Sequence, residues 1–272
     1  MKRYSILHAF VLSFFSQSFY RDVGQNWRGT GLLYMLILLV IVWIPTMIKM
    51  QIGFSTFVQQ EAPPITQQIP RITIKNGEVS TDVASPYYIK DQQGNPIAII
   101  DTTADYHNLD ETPAAVVLTR TKLFFRNERR GETRSYDLSN VESFELDRPR
   151  AEGWLQTAKG LLVPVLFPIV LIGTFIFRGI QILIYAAIGL LFAKMLDTSL
   201  SYKTLMRLAA VALTPVLLLN LVLEFLPFSI PVWWLFGTLI GLAYLFLAVK
   251  SNAGATPSYP PPPPPYAPPA MS

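Results

Sequence analysis

Cysteine is absent from the 272 residues, and charged residues make up only 15% of them. The lack of cysteine excludes disulfide bonds, zinc sites built from thiolates and cysteine nucleophiles. Histidine occurs only twice, as His8 and His107, and neither lies in the sequence context of a serine hydrolase or a zinc protease. No glycine-rich loop of the kind that holds a phosphate is present. The sequence therefore predicts a chain that is not an enzyme and that has no catalytic, cofactor-binding or metal-binding residues.

The hydrophobic fraction is 51%, which is high for a soluble protein. The net charge of +4 suggests a nucleic-acid partner, but residues 51–150 hold eleven Lys and Arg against fourteen Asp and Glu, a balance of −3. The positive excess lies beside the apolar runs, as the positive-inside rule produces in membrane proteins: Lys2, Arg3, Arg21, Arg28, Lys194, Lys203, Arg207 and Lys250. We therefore expect the lipid bilayer, and no nucleic acid, as a partner.

Residues 31–50 form the first long apolar run. It carries no charge from Leu32 to Ile48, and its length approaches the roughly 30 Å hydrocarbon core of a bilayer. Aromatic or cationic residues lie at both of its ends, as is typical of membrane interfaces. The run predicts a first transmembrane span at 31–50, which separates the basic segment 1–30 from the polar segment 51–155.

The N-terminal segment, residues 1–30, is predicted to be cytoplasmic and amphipathic. Its apolar part lacks the small-residue cleavage site of a signal peptide. One interpretation places a helix in the inner membrane surface, with Arg21 and Arg28 near lipid phosphates. Five aromatic residues would then insert into the bilayer: Phe10, Phe14, Phe15, Phe19 and Tyr20. The other interpretation packs the same helix against the transmembrane helices, and the sequence favours neither.

Residues 51–155 predict an extracytosolic domain with five or so short strands. The pair Asn76-Gly77 is a candidate type I′ turn of a hairpin, and Gly94 lies in a polar turn between two further strands. The second of these strands ends at Asp101, and the remaining strands are expected around a turn at 127–132. A segment of this size can have its own hydrophobic core.

The apolar segment 156–196 is too long for one simple span if it is helical. It is either one long or bent helix, or two spans with a turn at Phe177-Arg178-Gly179. With one span, the cations that follow lie on the same side as the basic N-terminus, so we expect four spans in total, with five as the alternative. The other predicted segments are a cytoplasmic loop at 197–204, spans at 205–225 and 230–249, and a proline-rich cytoplasmic tail at 250–272.

Three strings in this chain resemble a known family: SFYRDVGQNWRGTGLLYM, IPRITIKNGEVSTDVASPYYIKDQQGNPIAIIDTT and YKTLMRLAAVALTPVLLL. The resemblance is to the bacterial membrane family catalogued as domain of unknown function 1189, and it covers most of residues 10–250. That family is similar to the Yip group of Golgi membrane proteins, which bind Rab GTPases and act in vesicle traffic. The resemblance implies a polytopic inner-membrane protein and supplies no catalytic residues. Because this chain inserts a strand-rich domain after its first span, a GTPase-binding role rests on analogy alone.

Four polar residues are candidates for function: Arg178, Asn220, Asp101 and His107. Asp101 and His107 belong to the acidic stretch 101–111, whose carboxylates and imidazole suit a hard divalent cation. The spacing of the stretch does not match an EF-hand, so we expect a solvated loop instead. Arg178 and Asn220 lie in or beside predicted spans, where a polar group is costly and often marks function. Five glycines are expected to form helix-packing contacts: Gly173, Gly179, Gly189, Gly237 and Gly241.

The sequence as a whole predicts a polytopic α-helical membrane protein with an inserted β-rich extracytosolic domain. We expect it in the bacterial inner membrane, with a cytoplasmic N-terminus. Its predicted role is binding: a non-enzymatic scaffold or signal-relaying protein of the cell envelope, whose outer domain meets a membrane or envelope protein. The alternatives are a subunit of a transporter or channel, which usually has polar groups on several helices, and an organiser similar to trafficking proteins. No feature of the sequence sets an oligomeric state.

Overall fold

The computed structural model describes residues 4–103, 114–127, 132–227 and 230–253. The chain divides into two compact units. The helical unit comprises Met1–Pro45 and Ile169–Ser272, and the sheet unit comprises Thr46–Pro168. The candidate residue His107 and the predicted tail after residue 253 lie outside the described residues.

The described residues form eight α-helices. Their bounds are α1 Ala9–Leu12, α2 Gln17–Asn26, α3 Leu32–Thr56, α4 Ala62–Thr66, α5 Arg148–Met195, α6 Tyr202–Ala212, α7 Thr214–Glu224 and α8 Trp233–Asn252. A 3₁₀ turn at Ile6–His8 precedes α1, and a π-helical turn at Phe57–Glu61 joins α3 to α4. Helix α3 therefore continues beyond the predicted end of the first span at residue 50, because no proline interrupts the chain between Pro45 and Pro63.

Four helical stretches in the described part of the chain are long and apolar enough to cross a membrane: Leu32–Thr66, Arg148–Met195, Tyr202–Glu224 and Trp233–Asn252. Helix α5 is continuous from Arg148 to Met195 and includes Phe177, Arg178 and Gly179. The turn that the five-span alternative places at these three residues is therefore not formed.

Helix α6 lies at the centre of the helical unit. Every residue from 205 to 217 is buried, and small side chains such as Ala209, Ala210 and Ala212 allow the neighbouring helices to approach closely. The helix ends at Ala212 because Pro215 lacks the N–H that would bind the carbonyl of Val211. Helix α7 then starts with this proline in its first turn.

The N-terminal segment packs into the helical unit. Ser16 caps α2 by accepting a hydrogen bond from the Phe19 N–H at 3.2 Å, and α2 packs against α6 and α8. Phe19 and Tyr20 are 0% and 2% exposed and belong to the hydrophobic core of this unit. The interpretation that inserts these two rings into the membrane surface is therefore wrong, because both rings are buried within the helical unit. The alternative, packing against the helices, describes them correctly.

The glycine contacts agree with the prediction at three of the five positions. A methyl group on Gly189 would lie 3.1 Å from Leu205, one on Gly237 would lie 3.3 Å from Val216, and one on Gly241 would lie 2.9 Å from the Tyr185 hydroxyl. A methyl group added to Gly173 or Gly179 would have no neighbouring atom of the described residues within 4 Å. The prediction that these two residues form packing contacts is therefore wrong within the described chain.

The sheet unit contains two sheets built from eight described strands. The strands are β1 Ile72–Lys75, β2 Glu78–Thr81, β3 Tyr87–Lys90, β4 Pro96–Asp101, β5 Val116–Thr119, β6 Lys122–Asn127, β7 Glu132–Asp137 and β8 Ser143–Leu146. One sheet has the order β2-β1-β8, and the other has the order β3-β4-β5-β6-β7. All neighbours are antiparallel except β4 and β5, which are parallel.

The predicted hairpin at Asn76-Gly77 is confirmed. Lys75 pairs with Glu78, and both turn residues have positive φ angles, 49° at Asn76 and 81° at Gly77, as a type I′ turn requires. Only glycine fits at the second position, since an added methyl carbon would lie 2.7 Å from the Cα of Ser139. The turn therefore fixes the register of β1 and β2.

The core of the sheet unit is made mainly of isoleucine and other aliphatic side chains. Its buried members are Ile72, Ile74, Val79, Ile89, Ile100, Leu118 and Leu138. A smaller cluster contains Ile99, Ala114, Val117 and Phe124. Ile99 and Ile100 belong to different clusters because successive side chains of a strand point to opposite faces. Both faces of β4 are thus covered, which explains its unbroken apolar sequence.

Candidate functional site

The buried guanidinium of Arg207 makes the main polar contacts of the helical unit. Its side chain donates three hydrogen bonds to backbone carbonyls: Nε to Val23 at 2.7 Å, Nη2 to Gly24 at 2.7 Å and Nη1 to Gly29 at 3.1 Å. Arg207 is only 7% exposed. Val23 and Gly24 belong to the last turn of α2, whose carbonyls have no partner within their own helix. A cation at this end also interacts favourably with the helix dipole.

The loop that follows α2 is shaped to reach this arginine. Gly29 and Gly31 have φ angles of 83° and 85°, which glycine adopts without strain. Gly31 lies directly against α6, since an added methyl carbon would be 2.8 Å from the Ala210 Cβ and 3.1 Å from the Arg207 Cα. We call the backbone of residues 23–31 and the Arg207 side chain the loop clamp.

A buried carboxylate holds the residues where α2 joins the loop clamp. Asp22, 4% exposed, accepts hydrogen bonds from Asn26 Nδ2 at 2.8 Å, from Trp27 Nε1 at 3.2 Å and from the Tyr4 N–H at 3.3 Å. The indole of Trp27 packs edge-on against Phe19, with ring centroids 5.9 Å apart. Asp22 therefore orients the tryptophan at the start of the loop.

The end of α8 is bound to α2. Asn252 Nδ2 donates to the carbonyl of Tyr20 at 3.1 Å, and Arg21 Nε donates to the carbonyl of Ser251 at 3.0 Å. The Tyr20 hydroxyl in turn donates to the carbonyl of Ser13 at 2.6 Å. Burial raises the pKa of the Tyr20 phenol above its ordinary range, so the hydroxyl keeps the proton that it donates. These bonds make residues 13–26 an integral part of the helical unit.

An open groove of about 880 Å³ lies along the loop and the start of α3. It is lined by one continuous stretch of chain, Gln25, Asn26, Trp27, Arg28, Gly29, Thr30, Gly31, Leu32, Leu33 and Tyr34. One part of the lining is polar and carries the exposed cation Arg28, and the other part is apolar, with Leu33 70% exposed. We call this the loop groove.

Exposed cations gather at the same end of the helical unit. Arg28 lies in the loop clamp, and Arg21 lies beside the last turn of α8, where Lys250 is exposed. Lys203 precedes Arg207 by one turn of α6, and side chains four residues apart in a helix are neighbours. Lys194 lies in the last turn of α5, shortly before α6 begins. We call this group the basic end: Arg21, Arg28, Lys194, Lys203 and Lys250.

The residues that the sequence singled out have separate partners. Arg178 Nη1 donates to Gln181 Oε1 on the same helix, and the Tyr185 hydroxyl, one turn further on, donates to the carbonyl of Thr238 in α8 at 3.0 Å. Asn220 Oδ1 accepts a hydrogen bond from Trp233 Nε1, which connects α7 to the first turn of α8.

Asp101 is buried in the sheet unit, with 4% exposure. Its Oδ1 accepts hydrogen bonds from Ser85 Oγ at 2.9 Å, from Thr103 Oγ1 at 2.7 Å and from the Thr103 N–H at 3.0 Å. These bonds hold the end of β4 in place. Within the described ranges, no group of three or more His, Cys, Asp or Glu side chains is placed to hold a metal ion.

Sequence reasoning missed Arg207, Asp22 and Asn252, which make the buried contacts of the helical unit. The signal for Arg207 was present, because an arginine inside an apolar helix is costly and usually functional or paired. In the sequence, however, Arg207 is one of several cations beside the apolar runs. Asp22 and Asn252 carry no such signal, since Asp22 lies among other polar residues in a short helix and Asn252 is the last residue of α8, where polar residues are common.

The sheet unit presents exposed aromatic rings. Phe125 on β6 and Tyr136 on β7 are 42% and 52% exposed, and their rings meet edge to face with centroids 5.9 Å apart. Strand β7 is at the edge of its sheet, and all of its residues except Thr133 are exposed. An exposed aromatic pair of this kind is a common centre of a protein interface.

Comparison with known proteins gives one family and one relative. A family model described as a protein of unknown function (DUF1189) matches residues 7–249. The uncharacterized protein RP489 of Rickettsia prowazekii (strain Madrid E) is 28% identical over 130 residues, which cover 44% of this chain and 45% of that protein. The aligned region thus spans less than half of the relative's length. No solved structure matches the chain.

Proposed function

This chain belongs to the family of proteins of unknown function DUF1189, and we propose that it is an integral protein of the bacterial inner membrane that binds a protein partner of the cell envelope. In this proposal the helical unit is the membrane anchor, and the sheet unit lies outside the cytoplasm and meets the partner. The protein acts as a non-enzymatic scaffold or signal relay, without a cofactor. The family match supports the assignment of the chain but names no activity.

The observation that carries the membrane location in this proposal is the uncovered apolar surface of α5. In its most apolar stretch of 18 residues, no residue is buried. Large aliphatic and aromatic side chains follow one another on this surface: Ile169, Ile172, Ile176, Phe177, Ile180, Ile184 and Leu191, all more than half exposed. Exposing such a surface to water would be strongly unfavourable, and monomeric soluble proteins rarely expose contiguous apolar patches of this kind. A lipid environment removes the cost.

The orientation follows from charge. The basic end of the helical unit has five exposed cations, and cytoplasmic loops of membrane proteins carry an excess of Lys and Arg. We therefore propose that the basic end and the N-terminus lie on the cytoplasmic side. Because the strands lie in the chain between the first candidate span and the second, we propose that the sheets lie on the opposite side.

The binding role is tested by photocrosslinking in cells. One variant carries a photoreactive phenylalanine analogue in place of Tyr136, and a control variant carries it in place of Tyr88. Tyr88 is a suitable control because it lies on a different strand and is 44% exposed. We expect a discrete crosslinked product at position 136 that is absent at position 88. The Phe125→Ser substitution should abolish this product. Identical crosslinking at both positions, or a product that Phe125→Ser leaves unchanged, contradicts the proposed interface.

A transporter or channel subunit is the second candidate, because Arg178, Gln181 and Tyr185 place polar groups along one candidate span. In that case Arg178→Leu would abolish solute flux into vesicles that contain the protein. We expect Arg178→Leu and the parent chain to give equal flux, since Arg178 bonds to its own helix. A flux that is present in the parent and lost in the variant would establish the second candidate instead.

A further inference from the structure

We infer that the loop groove binds the headgroup of an anionic phospholipid from the cytoplasmic leaflet. This inference rests on the proposed membrane location and adds a specific ligand site to it. The groove matches the two parts of such a lipid. Its polar portion, with Arg28 and Thr30, suits the phosphate, and its apolar portion, with the exposed Leu33 on α3, suits the start of an acyl chain.

The net charge of the helical unit that contains the groove favours an anion. The helical unit contains nine Lys and Arg (Lys2, Arg3, Arg21, Arg28, Arg178, Lys194, Lys203, Arg207 and Lys250) against three acids (Asp22, Asp197 and Glu224). Asp22 is buried and accepts hydrogen bonds from Trp27 and Asn26. Within the described residues, Arg21, Arg28, Lys203 and Lys250 form no ion pair with a carboxylate. Their charges are therefore available to a negatively charged headgroup.

The loop that lines the groove is fixed within the helical unit. Arg207 holds the carbonyls of Val23, Gly24 and Gly29, and Gly31 packs on Ala210. The loop that carries Arg28 is thus fixed to the central helix α6. A fixed site avoids the entropic cost of ordering a loop on binding, so a surface with modest charge can hold a lipid specifically.

Native mass spectrometry of the full chain in detergent tests the inference. The protein is mixed with phosphatidylglycerol or with phosphatidylcholine, which differ in headgroup charge, and the retained lipids are counted. We expect phosphatidylglycerol to be retained preferentially. The double variant Arg28→Gln/Lys203→Gln should lose about fivefold in affinity for each cation removed. The matched control is Lys75→Gln/Lys90→Gln, which removes two exposed lysines of the sheet unit and should keep the preference.

Three results would overturn the inference. The first is equal retention of both lipids by the parent chain, and the second is an unchanged preference in the Arg28→Gln/Lys203→Gln variant. The third is displacement of phosphatidylglycerol by millimolar inorganic phosphate, which would assign the groove to a soluble anion. Failure of the proposed membrane location gives a different result. In that case alkaline carbonate extracts the chain from membranes, whereas an inserted chain without lipid preference refutes only the lipid site.

Discussion

At the scale of single residues, Arg207 determines how the N-terminal loop is attached. A buried cation is costly unless it is fully hydrogen-bonded. Here its donors bind three carbonyls, two of which belong to the C-terminal turn of α2. The charge is thus balanced by backbone dipoles, and the loop clamp depends on one side chain.

Replacing Arg207 with methionine should destabilise the helical unit by about 2–4 kcal/mol, because a buried carbonyl without a donor costs about 1–3 kcal/mol. The bond to Val23 is buried, and those to Gly24 and Gly29 are partly buried and contribute less. The matched control is Arg178→Met, which removes a half-buried arginine with one side-chain acceptor and should cost about 1 kcal/mol or less. Thermal unfolding in detergent measures both variants. Equal losses in the two variants would show that the loop clamp does not contribute to stability.

The contrast between the two arginines also shows what the sequence can predict at this scale. Arg178 and Arg207 both interrupt apolar helices, and only Arg178 was selected as a candidate. The bonds of Arg207 join α6 to carbonyls about 180 residues earlier in the chain, and backbone acceptors leave no pattern of side chains to read. By contrast, the turn at Asn76-Gly77 was predictable, because its geometry depends on two adjacent residues.

At the scale of elements, the N-terminal segment is a part of the helical core. Its pattern of apolar residues suits either a membrane surface or a helix bundle, because both offer one apolar side. The structure distinguishes these two environments, because it shows which aromatic rings of the segment are buried. Phe19 is 0% exposed and Phe15 is 71% exposed, although the two lie only four residues apart.

Phe19→Ala should therefore cost about 3–5 kcal/mol, as for other buried phenylalanines. Phe15→Ala, the matched control, should change stability by no more than about 0.5 kcal/mol. The midpoint of thermal unfolding in detergent gives both values. If the two variants lose similar stability, or if Phe15→Ala loses more, the packing of α2 against α6 and α8 is not as described.

The sequence correctly predicts a unit rich in β-strands, but it predicts only five or so strands where the structure describes eight. Strands β1 and β4 were identified from their sequences, β1 from alternating apolar residues and β4 from an unbroken apolar run. Strand β7, with the sequence ETRSYD, has almost no buried residue and thus no such pattern. Strand β8 pairs with β1 across about 70 residues of sequence, and a pairing at that distance depends on the fold of everything between.

At the scale of the whole molecule, charge and apolar surface are divided between the units. The helical unit carries an excess of cations and has long uncovered apolar helices, whereas residues 51–150 have a charge of −3. This division was readable from composition, because it depends on sums over long segments. The loop groove could not be predicted from composition, because its walls form only when α6 holds the loop in place.

The most direct test of the proposed arrangement is the accessibility of single introduced cysteines, since the natural chain has none. We would place them at Ser80 in β2, at Ser199 between α5 and α6, and at Ser258 in the proline-rich tail. Ser199 is preferable to Ser201, whose hydroxyl caps α6.

An impermeant thiol reagent is applied to intact cells and to permeabilised cells. We expect labelling of Ser80→Cys in both, and labelling of Ser199→Cys and Ser258→Cys only after permeabilisation. Labelling of all three positions in intact cells, or protection of Ser80→Cys, would contradict an inner-membrane protein with its basic end in the cytoplasm and its sheet unit outside.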